Sequence, residues 1–372
     1  MRNDYLSTRQ QHYNDTKETL SVSAYKKTRL KILKEEKEFL TEVDKFALEA
    51  AIEHVDRAYQ NFFNQGFGFP KFVSKYSPNG RQYKTKTTHN NIRLEYVNGV
   101  PSVTLPKLGA VRIVLPAKRE LAEFTPKNSR ITSATVVRDG SAYRVSLQIE
   151  QVVKKNDPLL GCSVSEITAM DMGLKEFCIY GTKDGERIHV KNPRYIRKHE
   201  KRLRRFQKAL SRKQYDKKTH KGSKNYYKAK ARVAKEHRKT ANQRKDMHHK
   251  LSYRIANSCK VFVCEDLNIK GMMKNHHLAK EIQSVGWGQF LTFVQYKIER
   301  KGGIFLKVSR FFPSSKTCAH CGYKNDELTL SDRYWKCPEC GTLIDRDENA
   351  VTNLANEGIR ILSEQDFTVV TA

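Results

Sequence analysis

The chain has 372 residues, a formal net charge of +30 and a sequence pI near 9.8. That length supports two or three domains, each with its own core, and the charge selects polyanions, nucleic acid first, while disfavouring basic partners. With no apolar run of 18 residues and with Arg-Asn-Asp-Tyr after Met1 in place of an apolar signal core, a membrane-spanning or secreted protein is not expected and a soluble, cytoplasmic one is.

In chain order, the first 65 residues read as helical. Leu48, Ile52, Val55, Tyr59 and Phe62 recur at intervals of four and three after a capping Asp44, the apolar stripe of one helix in a small bundle. Gly66-Phe-Gly-Phe-Pro70 breaks that pattern, and strand signals follow at Val100 to Leu105 and Val111 to Leu115. Asp139-Gly140, between Ile131 to Val137 and Ala142 to Ile149, marks a hairpin, so residues 70–150 read as mostly antiparallel β. A linker near Lys154 to Ser163 leads to a region where strands and helices alternate, the pattern of an α/β domain. Its strands are Ile167 to Asp171 and Phe177 to Gly181, paired as a hairpin, then Lys260 to Cys264 and Ile304 to Val308; its helices include Trp287 to Glu299 and a last one from about Asp347. Between them, residues 194–257 form a long basic helical hairpin, broken near Lys221-Gly222-Ser223.

Four of the eight cysteines form two Cys-x-x-Cys pairs, Cys318 with Cys321 and Cys337 with Cys340, separated by fifteen residues. This spacing turns four thiolates onto one tetrahedral Zn2+, and Gly322 and Gly341 provide tight turns that aim backbone amides at sulfur. A fully thiolate-filled ion has no open position, so the zinc is structural and His320 and Glu339 are loop residues; iron–sulfur or redox use is the competing reading. Cys162, Cys178, Cys259 and Cys264 lie in apolar or strand-like stretches and read as buried thiols, not as a disulfide framework.

Three carboxylates stand where elements of the α/β region end or begin: Asp171, Glu265 and Asp347. An acid on an apolar core strand is costly to bury without compensation. Divalent cations supply it, and hard oxygen ligands favour Mg2+ or Mn2+. Two such ions could activate water and stabilise the leaving oxygen of a phosphodiester. Each residue has a plainer reading: Asp171 could start a turn before Gly173, and Glu265 with Asp266 could be a solvent-facing strand end. Asp345 with Glu348 resembles a capping box, leaving Asp347 in the first helical turn as the metal ligand.

The basic hairpin carries 23 Lys or Arg at positions 194–250 against only Glu200, Asp216, Glu236 and Asp246. Arg197, Lys198, Lys201, Arg202, Arg204, Arg205, Lys208 and Arg212 cover nearly every face of its first helix, with Phe206 and Leu210 as anchors; a solvated charged face is the plain reading, a phosphate backbone the sharper one. Tyr226 and Tyr227 could stack on bases or pack between the two helices. Gly66-Phe-Gly and Gly302-Gly303 lack a strand-to-helix phosphate loop, which excludes Rossmann and P-loop readings.

Together, Ala169-Met-Asp-Met-Gly-Leu174, Glu265-Asp-Leu267, Ser315-Lys-Thr-Cys-Ala-His-Cys-Gly322, Trp335-Lys-Cys-Pro-Glu-Cys-Gly341 and Asp345-Arg-Asp-Glu-Asn-Ala350 closely resemble the TnpB (OrfB) proteins of insertion sequences, relatives of type V CRISPR effectors. Phe69-Pro-Lys-Phe72, Leu105-Pro-Lys-Leu-Gly109, Lys250-Leu-Ser252 and Trp287-Gly-Gln-Phe290 extend the likeness over almost the whole chain. The resemblance implies an α/β nuclease domain of the RNase H-like (RuvC) fold at 160–372, with the basic hairpin at 194–257 and a zinc ribbon inserted at 314–344. It also implies a helical recognition region at 1–66 and a partial wedge-like β-barrel at 67–155. The implied activity is RNA-guided, Mg2+-dependent cleavage of double-stranded DNA in a prokaryotic nucleoid, with a guide RNA from the transposon end and a short motif beside the target. Asp171, Glu265 and Asp347 fall on the catalytic positions, and Cys318, Cys321, Cys337 and Cys340 on the zinc ligands.

Relatives usually begin with a basic β-strand before the first helix, whereas this chain starts inside the helical region. The expectation is therefore a barrel lacking one strand, through truncation at an internal Met or degeneration of the copy, with activity left open. A DNA-binding transposase or strand transferase is the second enzyme reading, though its usual Asp, Asp, Glu order differs from the order here. A non-cleaving RNA-guided repressor is the third, and it would be expected to lose one of the three acids.

Overall fold

Two apolar clusters separated by one sheet hold the second half of the chain, and two others, one helical and one between sheets, hold the first. The computed structural model describes residues 1–74, 82–115, 120–125, 127–139, 142–152, 161–219, 221–329, 331–365 and 367–370. It divides into two compact units, Met1–Lys154 and Lys155–Ala372. Most of the expected linker lies outside the described residues; its end, Gly161–Ser163, is a strand.

The first unit opens with α1 (Arg2–Thr16), α2 (Val22–Lys27), α3 (Arg29–Glu36), α4 (Phe39–Glu42) and α5 (Lys45–Gln65). The α5 stripe Leu48, Ile52, Val55 and Tyr59 buries against Tyr5, Leu6, Tyr25 and Leu33. Phe62 is only half-buried, packing edge-on against Phe63 and Phe69. Gly66 ends α5 with a φ of 66°, the left-handed conformation a C-terminal glycine allows. Asp44 precedes the helix without capping it: its buried carboxylate instead accepts from the Thr85 hydroxyl.

Six strands follow: β1 (Gln82–Lys86), β2 (Arg93–Val97), β3 (Val100–Leu105), β4 (Gly109–Arg112), β5 (Ser129–Asp139) and β6 (Ala142–Gln151). They form two antiparallel sheets, β1-β5-β6 and β2-β3-β4, around Ile92, Val103, Leu105 and Ala134. The expected hairpin is present, with Asp139 opposite Ala142; Gly140 of its turn lies outside the described residues. The strand expected at 111–115 starts and ends earlier, because its pairing with β3 runs from Gly109 to Arg112 and leaves Val114 91% exposed.

The second unit contains β7 (Gly161–Ser163), β8 (Ile167–Met172), β9 (Glu176–Gly181), β10 (Ile188–Lys191), α6 (Tyr195–Ser211), the short pair β11 (Tyr215–Asp216) and β12 (Lys221–Gly222), and α7 (Lys224–Ser258). It continues through β13 (Val261–Glu265), α8 (Ile269–Met272), α9 (His276–Val285), α10 (Trp287–Glu299), β14 (Ile304–Val308), β15 (Tyr334–Lys336), β16 (Leu343–Asp345), α11 (Arg346–Ser363) and β17 (Thr368–Val370). Its main sheet has the order β10-β9-β8-β13-β14, antiparallel from β10 to β8 and parallel from β8 to β14.

Strand alternation decides which face each side chain serves. Met170, Phe262 and Cys264 pack with α7 and α10; Ile167, Ala169, Val261 and Val263 pack with Val351, Leu354 and Ala355 of α11. Continuing the same period, Asp171 and Glu265 emerge on the α11 side, and the pairing of Met170 with Cys264 sets them level on neighbouring strands.

Helix α11 lies close to the sheet because Gly358 has no side chain: a Cβ there would come within 2.6 Å of Val263 Cγ2. Gly358→Ala should therefore cost about 1–3 kcal/mol of stability through overpacking, read as a lower thermal midpoint. Gly68→Ala, whose Cβ would meet nothing within 4 Å, should leave that midpoint unchanged.

Candidate functional site

Asp171 ends β8, Glu265 ends β13 beside it, and Asp347 sits in the first turn of α11, which packs on both strands. Asp171 and Asp347 line a cleft of about 650 Å³ together with Glu176, Lys316, Arg333 and Arg346; Glu265 is not among its lining residues. Burial first, then the charges of Glu265 and Asp347, pushes the Asp171 carboxyl up to about 7. Burial also raises Glu265, against a 2.8 Å hydrogen bond donated by the Ser314 hydroxyl. Asp266, its neighbour, instead pairs with Lys307 at 3.0 Å and Arg310 at 2.9 Å, which separates an acid held by surface cations from one held by Ser314.

Asp345 caps α11, accepting from the amides of Asp347 at 2.9 Å and Glu348 at 3.2 Å. Glu348 does not reach back to close the expected capping box; its carboxylate meets His189 Nε2 at 3.0 Å, while His189 Nδ1 meets Glu176 at 2.8 Å. Asp347 is paired with Arg346 at 3.0 Å and with Arg333 at 3.6 Å. These cations and the Glu176–His189–Glu348 chain escaped the sequence reading. Arg346 lies inside the quoted Asp345-to-Ala350 motif, but Arg333 and His189 carry no local signal, because their partners are distant in sequence.

The four cysteines converge: Cys318 and Cys340 sulfurs lie 3.7 Å apart, and those of Cys321 and Cys337 3.5 Å. A tetrahedral zinc with bonds of about 2.3 Å has sulfur–sulfur edges of roughly 3.8 Å, so this donor set fits that ion. The two knuckles repeat one backbone pattern. Gly322 and Gly341, at φ 80° and 71°, donate to the carbonyls of Cys318 and Cys337, both at 2.9 Å. The amides aimed at sulfur belong to the next residues, Tyr323 toward Cys321 and Thr342 toward Cys340. Among the described residues this is the one group of three or more candidate ligands whose ligand atoms all lie within 4.8 Å. The carboxylates share a neighbourhood, not yet a single coordination point; their hard oxygens and mutual repulsion suit divalent cations.

Buried amides on α11 tie the ribbon to that helix. Asn349 Nδ2 donates to the Thr317 carbonyl at 2.6 Å and its Oδ1 accepts from the Ala319 amide at 2.9 Å; Asn353 donates to the Ser314 and Thr317 carbonyls at 2.7 and 2.6 Å.

The basic hairpin forms from α6 and α7, the latter mostly exposed in its first half and buried at His248, Leu251, Ser252, Ile255 and Ala256 toward its end. All eight basic side chains predicted on α6 are exposed. Three are also used internally: Arg197 pairs with Glu281 at 2.9 Å, Arg202 with the buried Glu236 at 3.3 Å, and Arg204 with Glu200 at 2.5 Å. His199 bridges Glu236 and Gln243, which clips the two helices together. Tyr226 stacks on Tyr215 with centroids 4.6 Å apart, a packing role at the hairpin tip. No helix among the described residues is long and apolar enough to cross a membrane.

With this geometry in hand, comparison with known proteins gives two family matches. Residues 152–276 match the OrfB_IS605 model, described as "Probable transposase", and residues 287–354 match "Cas12f1-like, TNB domain". A Streptomyces pristinaespiralis protein named "Putative RNA-guided DNA endonuclease" is 30% identical over 340 residues, which cover 91% of this chain and 76% of that protein. An Escherichia coli (strain K12) protein named "Putative RNA-guided DNA endonuclease InsQ" is 26% identical over 336 residues, covering 85% and 75%. In structure the chain is similar to the protein of a Cas12f1-sgRNA-target DNA complex, with a TM-score of 0.52 and 16% identity over 84% of this chain and 70% of that one, a likeness of fold.

The raised Asp171 carboxyl has a pH signature. Its folded-state value of about 7 lies above the usual 3.8, so the folded chain holds a proton that the unfolded chain releases. Stability should therefore fall as pH rises from about 4 to about 7. In magnesium-free buffer, Asp171→Asn should be more stable than wild type at pH 8 by about 1–4 kcal/mol, with solvent in the cleft favouring the lower end. The two should converge at pH 4 in denaturant unfolding; a gap that persists there would contradict the assigned cause.

Proposed function

Because the chain belongs to the TnpB (OrfB) family, we propose that it is a transposon-associated RNA-guided DNA endonuclease whose second unit is an RNase H-like (RuvC) nuclease domain. The observation that carries this reading is the arrival of Asp171, Glu265 and Asp347 on one side of the mixed sheet, two on adjacent strand ends and one at a helix N-terminus. The sheet order, three antiparallel strands followed by two parallel additions, supports the RNase H-like assignment. The helices and two small sheets of the first unit support a recognition region joined to a wedge-like part.

Asp171, Glu265 and Asp347 would hold two magnesium or manganese ions, which when bound supply water activation and charge stabilisation for phosphodiester hydrolysis. The chain's own groups prepare that chemistry. Ser314 orients Glu265, and Asp345 fixes the first turn of α11, which carries Asp347. The cysteine quartet would hold zinc as a structural clamp on the ribbon. Guide RNA and double-stranded DNA are the partners this reading names. The exposed cations of α6 would grip the phosphates of an RNA–DNA hybrid, while base pairing selects the sequence.

The test is plasmid cleavage by protein purified with its co-expressed RNA. Wild type should cut a matched target in magnesium, and Asp171→Ala should lower the rate by about a thousandfold or more, the loss of roughly 4 kcal/mol of barrier reduction. Cleavage unchanged by that substitution would reject the site.

A further inference from the structure

Arg333 occupies an unusual electrostatic position. It lies within the cysteine ribbon, immediately before β15, and its guanidinium stands 3.6 Å from Asp347, 3.7 Å from Asp345 and 3.9 Å from Glu176. None of these is a close hydrogen bond; the group is held by the combined field of three carboxylates. Arg346 differs: it donates to Asp347 at 3.0 and 3.1 Å and, as its chain neighbour, moves with it. The Arg346 amide also donates to the Arg333 carbonyl at 2.8 Å, so the β15–β16 hairpin places the two guanidiniums on either side of the same acid.

A guanidinium in loose ionic contact with a carboxylate lowers the free energy of that carboxylate as an anion without binding it directionally. It therefore opposes any other cation seeking the same oxygens. It is also the easiest local cation to withdraw, because a phosphodiester offers it a paired hydrogen-bonding geometry that the three distant carboxylates do not.

Resting on the reading of Asp171, Glu265 and Asp347 as the metal site, we propose that Arg333 competes with divalent cations for Asp347, so that the ribbon keeps the cleft poorly metallated until a nucleic-acid phosphate draws the guanidinium away. Arg333 is thereby a positioning residue, and the ribbon couples nucleic-acid engagement to metal entry.

The experiment measures Mn2+ binding to the full chain by electron paramagnetic resonance, without guide RNA. Arg333→Gln should bind Mn2+ about tenfold more tightly than wild type, because the repulsion between the guanidinium and an incoming cation is removed. Arg333→Lys, which keeps the charge, should bind like wild type. A single-stranded DNA oligonucleotide, corrected for its own Mn2+ uptake, should tighten binding in wild type and do so less in Arg333→Gln. Zinc content equal to wild type verifies that the ribbon remains folded in each variant. Unchanged or weaker Mn2+ binding by Arg333→Gln, or binding by Arg333→Lys as tight as that of Arg333→Gln, would overturn the proposal, provided Asp347→Asn still removes the site. If Asp171→Asn and Asp347→Asn both leave Mn2+ binding intact, the carboxylate site itself fails, and the competition proposal falls with it.

Discussion

Two carboxylates set level on neighbouring strands, where an apolar core ends, repel each other and lose part of their hydration; the second unit is organised around that cost. Asp171 and Glu265 are there because the alternation that buries Ala169 and Val263 on the α11 face continues one step further. Asp347 adds a third charge from the helix that covers the same face. A sheet built only for stability would place apolar residues at these strand ends. Retaining acids there is intelligible when cations complete the site, and the guanidiniums of Arg333 and Arg346 already supply part of that charge.

The ribbon contributes through geometry. Sulfur convergence at 3.5–3.7 Å fixes the two knuckles, the knuckles fix the β15–β16 hairpin, and the hairpin runs straight into α11 through the Asp345 cap. Asn349 and Asn353 then staple the entry to the ribbon back onto α11. The cysteine centre is thus mechanically continuous with one wall of the cleft. Gly358 completes the arrangement by letting α11 approach Val263 closely enough to bring its first turn beside the strand ends.

Much of this was legible because it depends on periodicity or on short spacings. Ile304 to Val308 and Trp287 to Glu299 have the observed limits, since a parallel core strand and an amphipathic helix each announce their length through burial. The Cys-x-x-Cys pairs and the Asp345 cap are local motifs, and the structure realises both. What stayed hidden depends on partners far apart in sequence. Nothing near Asp44 indicates that Thr85 will claim its carboxylate, and nothing near Arg333 indicates three acids around it. Charge counting also overstated the free basic surface: Arg197, Arg202 and Arg204 each spend part of their charge on an acid of the same unit. Composition reports how many cations exist, but only the fold reports which are already neutralised.

The central claim is that Asp171, Glu265 and Asp347 together bind divalent metal. Anomalous diffraction at the manganese edge, from crystals of the full chain soaked in Mn2+, addresses it directly. The account predicts a peak bounded by those three side chains, with the Asp347 carboxylate turned from Arg333 toward the ion. A peak confined to other acids, or none in the cleft when the Asp171 and Glu265 carboxylates are fully ordered at pH 8, would contradict it.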